Sequence, residues 1–302
     1  MENKSFEGMI VKSTGGLYTV ETDDGNTCDC RAKGAFRHSR ITPLAGDRVV
    51  FEKQENKEGF ITEIKERKNS LIRPAVSNVD LLCVVAAAKS PNPDLFILDK
   101  LTAVAKKNGI EVVFIVNKTD LDDGKQLFDV YNKAGFQVIP MCAAKKEKCT
   151  DAVQKIRNAV KGKISFFTGA SGVGKSSVLN AVFPELELET GEISRKIERG
   201  KHTTRVTTLY KIDDCTYVGD TPGFSMFDVA GFNMLSSETL LLSFPDIEKY
   251  AFGCKYTKCS HTCEDGCGVM TALEEGLISE ERHSSYAALY KELIAIKPWD
   301  NK

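Results

Sequence analysis

A glycine-rich loop set between an apolar run and a helical segment constrains this chain more than any other feature. Residues 169–176 have the spacing G-x-x-x-x-G-K-[ST]. The apolar run 164–167 precedes them, and residues 177–182 are expected to form a helix that ends at Pro184. Strand, loop and helix in this order are typical of a phosphate-binding loop, so we predict an α/β domain organised around it.

The residues of this loop suit contact with phosphate. Glycines leave room for backbone N–H groups to face phosphate oxygens, and the N-terminal end of the helix adds partial positive charge. Lys175 is expected to reach the β- and γ-phosphates, and the Ser176 hydroxyl to hold Mg²⁺. The alternative is a glycine-rich loop that binds nothing. The predicted nucleotide contacts here are Thr168, Gly169, Ala170, Ser171, Gly172, Val173, Gly174, Lys175, Ser176 and Ser177.

Length and composition leave room for two or three domains and favour a soluble protein. The chain has 302 residues, of which 42% are hydrophobic, and a formal net charge of −1. Because the charges balance, any nucleic-acid surface must be local. The chain starts without an apolar signal segment, and the apolar run 81–88 is too short to cross a bilayer. We therefore expect a cytoplasmic protein without membrane contact.

The first part of the chain differs from the rest in its pattern. Up to about residue 68, short alternating apolar segments are separated by glycine and aspartate turns, which predicts a small β-barrel, with the OB-fold as first choice. Its basic stretch, with Phe36 inside it, either binds oligonucleotide or is an ordinary solvated face. From Asp80 onward, buried strands alternate with helices, which predicts a doubly wound, largely parallel sheet.

A four-residue box follows the strand predicted over 111–116. Asn117, Lys118, Thr119 and Asp120 read N-K-x-D. The Asp120 carboxylate can accept hydrogen bonds from guanine N1–H and the exocyclic amine, which adenine cannot offer, so the box predicts guanine selection. A chance match in a solvated loop is the alternative. Ligands collect at the carboxyl ends of parallel strands, which strengthens the prediction.

Two further segments resemble the switches of GTPases. Asp220 to Gly223 fits the D-x-x-G box, in which Asp220 would support Mg²⁺ and the Gly223 N–H would sense the γ-phosphate. Residues 200–205 look like a first switch, and by that resemblance Thr204 completes the Mg²⁺ coordination when GTP is bound. Cys142 and Ala143 loosely match the Ser-Ala box that contacts the base.

Four metal-binding side chains cluster near the end of the chain. Cys254, Cys259, His261 and Cys267 have the spacing C-x4-C-x-H-x5-C. Three thiolates and one imidazole suit one closed, structural Zn²⁺ site, which would stabilise a small surrounding segment. Disulfides or unliganded thiols are the alternatives. Two helices are expected after the cluster, over 269–276 and 279–296, and the basic residues around it either face RNA or are solvated: Lys255, Lys258, Arg282, His283 and Lys291.

The order of the boxes is the most informative part of the pattern. N-K-x-D and Cys142 precede the phosphate loop, and both switches follow it, whereas in ordinary GTPases the loop comes first. The chain resembles the ribosome small-subunit-dependent, circularly permuted GTPases over nearly its whole length. The resemblance is carried by the circularly permuted order of the boxes, the two switches, the barrel and the cysteine cluster. The resemblance implies an OB-fold barrel (1–68), a permuted α/β GTPase domain (69–227) and a zinc-binding α-helical module (228–302).

The resemblance also implies function and partners. It predicts a monomer that binds GTP and GDP with Mg²⁺, docks on the rRNA of the small (30S) ribosomal subunit in late maturation, and is released by GTP hydrolysis. The family pattern leaves Cys263 out of the zinc site. Two other readings remain: an RNA-binding assembly factor for which GTP is only a conformational ligand, and a phosphate-loop ATPase or kinase.

The residue that positions the hydrolytic water is not the usual one. Many GTPases carry glutamine just after the D-x-x-G glycine, but Phe224 stands there. His202, two residues before Thr204, is our candidate catalytic residue, and a solvated loop histidine is the alternative.

Overall fold

The structure of the chain is a computed structural model. It describes residues 4–34, 36, 41–53, 58–71, 75–145, 149–188, 207–220 and 235–296, with Asp220 described in its backbone only. Within these ranges, none of the helices combines the length and apolar character needed to cross a bilayer.

The N-terminal strands form a closed five-stranded barrel. They are β1 (Lys4–Thr14), β2 (Leu17–Thr22), β3 (Thr27–Ala32), β4 (Arg48–Lys53) and β5 (Gly59–Ile64). The order is β1-β2-β3-β5-β4, β4 pairs back onto β1, and β3 and β5 are parallel. Alternate residues point inward, and Ile10, Val20, Phe51 and Ile61 fill the interior. The predicted OB-type barrel is confirmed.

A short hairpin joins the barrel to the rest of the chain. It consists of β6 (Ser70–Leu71) and β7 (Val76–Ser77), and Ala45 of the barrel segment bridges to Val76. Beside this bridge, Gly46 has φ +96°, and a Cβ there would lie 2.1 Å from the Ser77 carbonyl oxygen. This close approach requires glycine.

The central sheet carries the α/β domain. Its strands are β8 (Leu81–Ala87), β9 (Glu111–Asn117), β10 (Gln137–Pro140), β11 (Ile164–Thr168), β12 (Thr207–Lys211) and β13 (Tyr217–Asp220), in the order β10-β9-β8-β11-β13-β12. All neighbours are parallel except β12 and β13. The described helices of this domain are α1 (Leu95–Lys107), α2 (Lys125–Lys133), α3 (Thr150–Val160) and α4 (Lys175–Val182). Every residue of β8 is buried, as expected for a strand covered on both faces.

The barrel and the central sheet share hydrogen bonds. The distal part of β1 pairs with β12, with Lys12 opposite Thr208 and Ser13 opposite Thr207. The β1–β2 register shifts between Ile10 and Lys12; the pairing with β2 continues to Thr14, while the other edge of β1 faces β4 up to Met9 and β12 at Lys12 and Ser13. The described strands of both domains therefore form one continuous eleven-stranded sheet.

Two short helices and one of 16 residues build the described part of the C-terminal module. These are α5 (Pro245–Glu248), α6 (Gly268–Glu274) and α7 (Glu280–Ala295), with 3₁₀ turns at Leu241–Ser243 and Ala251–Gly253. The two helices predicted after the cysteine cluster are confirmed. Helix α7 packs on α1, and Leu98, Phe244, Tyr286 and Leu289 share one apolar core with the central domain.

A buried cation lies at the centre of this contact. Arg282 of α7 has no exposed surface and donates hydrogen bonds to Asp246 at 2.9 and 3.1 Å and to Asp99 of α1 at 2.7 Å. Its guanidinium also lies over the Phe244 ring, 4.5 Å from the centroid. His283 is buried as well. The suggestion that Arg282 and His283 face RNA is therefore wrong, because both side chains are enclosed by the protein.

Candidate nucleotide site and metal centre

The glycine-rich loop lies at the carboxyl ends of parallel strands. Strand β11 runs between β8 and β13, the loop follows at residue 169, and α4 begins at Lys175. Gly172 and Gly174 have φ values of +83° and +87°, which glycine adopts at little cost. A Cβ on Gly169 would lie 2.3 Å from the Val85 carbonyl oxygen. Strand, loop and helix thus form as the sequence predicts.

The predicted phosphate contacts differ in exposure. Ala170, Ser171 and Gly172 are exposed at the tip of the loop, whereas Thr168, Gly169 and Val173 are buried beneath it. Lys175, Ser176 and Ser177 are half-buried in the first turn of α4. Their backbone N–H groups belong to the turn that a helix leaves without internal partners, which is the usual place for a bound phosphate.

Asn117 ties the phosphate loop to the base-recognition segments. Its side chain is 3% exposed, donates from Nδ2 to the Val173 carbonyl at 2.9 Å, and accepts at Oδ1 from the Ala143 N–H at 3.0 Å. A Cβ on Gly174 would lie 2.5 Å from Asn117 Nδ2, so the last loop glycine makes room for this amide. Three segments from distant parts of the sequence are thereby joined at one side chain.

Lys118 and Thr119 extend the same connection. Lys118, at φ +61°, donates from Nζ to the Gly172 carbonyl at 2.7 Å and to the Ser90 carbonyl. The Thr119 hydroxyl donates to the Met141 carbonyl at 3.1 Å. The sequence did not predict Ser90 as a partner of Lys118, because a backbone carbonyl acceptor leaves no sequence signal.

Asp120 is the last residue of the N-K-x-D box. A hydrogen bond from the Cys142 thiol and one from the N–H of Asp120 itself lower the pKa of its carboxyl, so it is an ionised acceptor at neutral pH. Lys145 Nζ lies 4.0 Å from Asp120 Oδ2. Cys142 is nearly buried, and burial raises the pKa of its thiol, which therefore keeps its proton as a donor. An ionised carboxylate here can pair with two donors on one edge of a purine.

The remaining predicted nucleotide residues cannot be placed in the same way. Strand β13 brings the Asp220 backbone opposite Phe167 of β11, next to the strand that leads into the phosphate loop. His202, Thr204 and Gly223 lie outside the described residues. Their roles, and that of the Asp220 side chain, stay predictions.

The four predicted metal ligands meet in the C-terminal module. The ligand atoms of Cys254, Cys259, His261 and Cys267 all lie within 4.8 Å of one another. Cys254 Sγ is 3.7 Å from Cys267 Sγ and 3.3 Å from His261 Nδ1. Sulfur atoms of a tetrahedral zinc site lie about 3.8 Å apart, given bonds of about 2.3 Å. The donor set and its spacing therefore fit a metal ion, and Cys263 is exposed and not part of the cluster.

Surrounding side chains hold the cluster in shape. Burial lowers the pKa of His261, which keeps the imidazole neutral, as a metal ligand must be. His261 has φ +59°, and its carbonyl lies 2.8 Å from His283 Nε2. Tyr286 donates to the Ser260 carbonyl at 2.9 Å, and the Glu264 carboxylate accepts from the Ser260 N–H at 2.6 Å. Helix α7 thus supports the cluster through two hydrogen bonds.

Comparisons with known proteins cover nearly the whole chain. Residues 64–230 match the RsgA GTPase family, and residues 7–61 match the RsgA N-terminal domain. A relative from Ruminiclostridium cellulolyticum, named small ribosomal subunit biogenesis GTPase RsgA, is 40% identical over 98% of this chain and 96% of its own length.

Two solved structures are similar to this one. YjeQ from Thermotoga maritima matches with a TM-score of 0.78 and 32% identity over 97% of this chain and 100% of its own. YloQ, described as a circularly permuted GTPase, matches with a TM-score of 0.75 and 32% identity over 98% of this chain and 97% of its own. The order of the boxes, the barrel and the family match lead to one conclusion: the chain belongs to the RsgA family of circularly permuted GTPases and is a GTP hydrolase.

Proposed function

We propose that this GTPase acts in late maturation of the small (30S) ribosomal subunit, where its GTP form binds rRNA and hydrolysis releases it. The observation that carries the proposal is the name of a relative that is 40% identical over nearly the full length, a small ribosomal subunit biogenesis GTPase. The protein would act as a cytoplasmic monomer.

In this proposal GTP occupies the site around the phosphate loop. Asp120 recognises guanine, and Cys142 and Ala143 lie beside the base. Asn117, Lys118 and Thr119 hold the phosphate loop and the turn after β10 in place. Residues 168–177 take the phosphates, and the Gly223 N–H senses the γ-phosphate. Ser176, Thr204 and Asp220 would hold Mg²⁺, which neutralises phosphate charge when bound. His202 positions the attacking water.

The barrel offers a surface suited to RNA. A cleft of about 620 Å³ lies between the β1–β2 turn and the end of β3, and Tyr18, Arg31, Lys33 and Phe36 are among its lining residues. Arg31 and Lys33 pair with Glu58 and Glu52 at exposed positions. Exposed pairs contribute little, so phosphate groups can compete for these cations.

The metal module offers a second surface. Phe252 is 95% exposed and lies two residues before the ligand Cys254. Residues 249–263 include three lysines and no acidic residue, and Lys255 lies over the Tyr256 ring. Exposed aromatic rings among cations suit stacking with unpaired bases. The four ligands, holding one structural Zn²⁺, would fix this loop.

The test is phosphate release from GTP and from ATP, each with and without purified small ribosomal subunits. We expect turnover selective for GTP, slow alone and strongly raised by the subunit. The Phe252→Ala variant should lower the stimulated rate and leave the intrinsic rate unchanged, and His202→Ala should lower turnover with the subunit present.

Each other outcome has a definite meaning. Selective turnover that ignores the subunit would remove the ribosome from the proposal. Subunit binding that depends on GTP but is not followed by release on hydrolysis would favour the assembly factor that uses GTP only as a conformational ligand. Equal competition by ATP would overturn the assignment of Asp120 to guanine.

A further inference from the structure

The turn that follows β10 is held from two sides. On the nucleotide side, the Ala143 N–H donates to Asn117, and the Thr119 hydroxyl donates to the Met141 carbonyl. This turn also carries Lys145, whose ammonium lies 4.0 Å from the Asp120 carboxylate. The position of Asp120 therefore depends on the shape of residues 141–145.

Cys149 holds the same turn from the opposite side. Its thiol donates to the Cys142 carbonyl at 3.0 Å and approaches the Lys145 carbonyl at 3.5 Å. The Cys142 carbonyl also accepts from the Lys145 N–H at 2.8 Å, which closes the turn. One buried sulfur thus contacts both ends of the segment that flanks Asp120.

The anchor of this thiol is rigid. Cys149 is 3% exposed and directly precedes α3, and its carbonyl accepts the Val153 N–H of that helix at 2.8 Å. It packs in the same apolar cluster as Cys142, Ala152 and Ile156. A donor fixed to a helix and enclosed by apolar side chains has little freedom to move away from the turn.

We propose that Cys149 is a positioning residue for guanine recognition: its thiol holds the 142–145 turn in the shape that aims the Asp120 carboxylate at the base. The inference rests on the proposed assignment of Asp120 to guanine. Cys149 lies outside all the sequence boxes of GTPases discussed above, so the structure alone reveals it.

The test separates base recognition from general stability. Cys149→Val removes the donor but fills the space, Cys149→Ala removes both, and Cys149→Ser keeps a donor. Cys83→Val is the matched control, because Cys83 is a buried cysteine of the same cluster that lies in β8 and not at the turn. Dissociation constants for GTP and ITP are measured without ribosomal subunits; ITP lacks only the exocyclic amine that the carboxylate would bind.

We expect Cys149→Val and Cys149→Ala to weaken GTP about three- to tenfold, the worth of one net hydrogen bond. ITP should weaken less, so the ratio of GTP to ITP affinity falls. KM for GTP should rise while kcat stays nearly constant, because the lost contact does not touch the phosphates. Cys149→Ser should recover part of the ratio, and Cys83→Val should leave it unchanged.

Two results would overturn the inference. If Asp120→Asn changes the ratio but Cys149→Val behaves as Cys83→Val does, Cys149 has only a packing role and the base assignment survives. If Asp120→Asn leaves the ratio unchanged, the base assignment itself fails and the inference fails with it. Cys149→Val avoids a cavity, so the test remains possible where the alanine variant does not fold.

Discussion

The two modules that flank the GTPase domain are attached to it by different chemistry. The barrel shares backbone hydrogen bonds with the domain, between β1 and β12, and an apolar core through Met9 and Val11, and the part-buried Tyr217 hydroxyl donates to Glu21 at 3.1 Å. The C-terminal module is attached through side chains, with Arg282 buried between Asp99 and Asp246.

This difference indicates which of the two junctions should tolerate single substitutions. Backbone pairing depends little on which residue stands at each position, so no single side chain should control the pairing of β1 with β12. A buried ion pair depends on both partners, because removing one leaves an uncompensated charge in a medium of low polarity. We therefore expect single substitutions to damage the C-terminal junction far more.

The largest expected effect comes from the metal cluster, through Cys267→Ser. If the site holds Zn²⁺, losing one ligand removes part of a stabilisation on the order of 10 kcal/mol in small zinc domains. Hydrogen exchange should then show loss of amide protection in α6 and in the first turns of α7, with the barrel strands unchanged. Cys263→Ser is the control, since Cys263 is exposed and outside the cluster. Equal zinc content in both variants would contradict the ligand set.

The next largest effect should come from Arg282→Met. It leaves Asp99 and Asp246 buried without their cation, and we expect a loss of about 3–5 kcal/mol in the free energy of unfolding, measured with urea. Lys291→Met, on an exposed position of the same helix, is the control. A loss no greater than that of the control would show that the apolar core alone holds the module.

The loss from Arg282→Met should also depend on pH. Burial raises the pKa of Asp99, and Arg282 opposes that shift, so the carboxyl of the variant will have a pKa still further above its unfolded value. A raised folded pKa favours folding of the protonated form. The loss in the free energy of unfolding should therefore narrow as the pH falls below the raised folded pKa of Asp99 toward its unfolded pKa, and Asp99→Asn in the same chain should recover part of it.

The smallest effect should come from Tyr217→Phe at the barrel junction. Glu21 loses one donor but keeps Lys211, whose Nζ lies 3.1 Å from the same oxygen, so we expect a loss of about 0.5–1 kcal/mol. Urea unfolding, with the exposed Tyr256→Phe as control, measures it. A loss as large as that of Arg282→Met would mean that the barrel junction, too, depends on side chains.

The sequence predicts those features whose spacing is local. The phosphate loop, the N-K-x-D box and the C-x4-C-x-H-x5-C cluster are short segments, and their residues lie where they are expected. Helices α1 and α3 also form in the part of the chain where strands and helices are predicted to alternate, because their apolar residues recur at helical spacing. The barrel is predicted by its turns and alternation, and its closure through β4 and β1 is confirmed.

Features that join distant residues leave no such signal. Arg282 is charged and lies on a helix, so sequence reasoning places it at the surface, yet its partner Asp99 comes 183 residues earlier. The pairing of β1 with β12 and the contact of Cys149 with the base turn are likewise set by tertiary packing. The contacts that join the domains, and the contact of Cys149 behind the residues of the base site, can therefore be recognised only in the structure.

The double role of β1 has a consequence for synthesis and for fragments. Its pairing with β4 can form as soon as the barrel sequence has been made, whereas β12 emerges much later, after most of the central sheet. Until then the β1 end at Lys12 and Ser13 is an open strand edge, which can attract the wrong strand. A barrel cut off near residue 68 would keep that open edge permanently, so it should tend to associate with copies of itself.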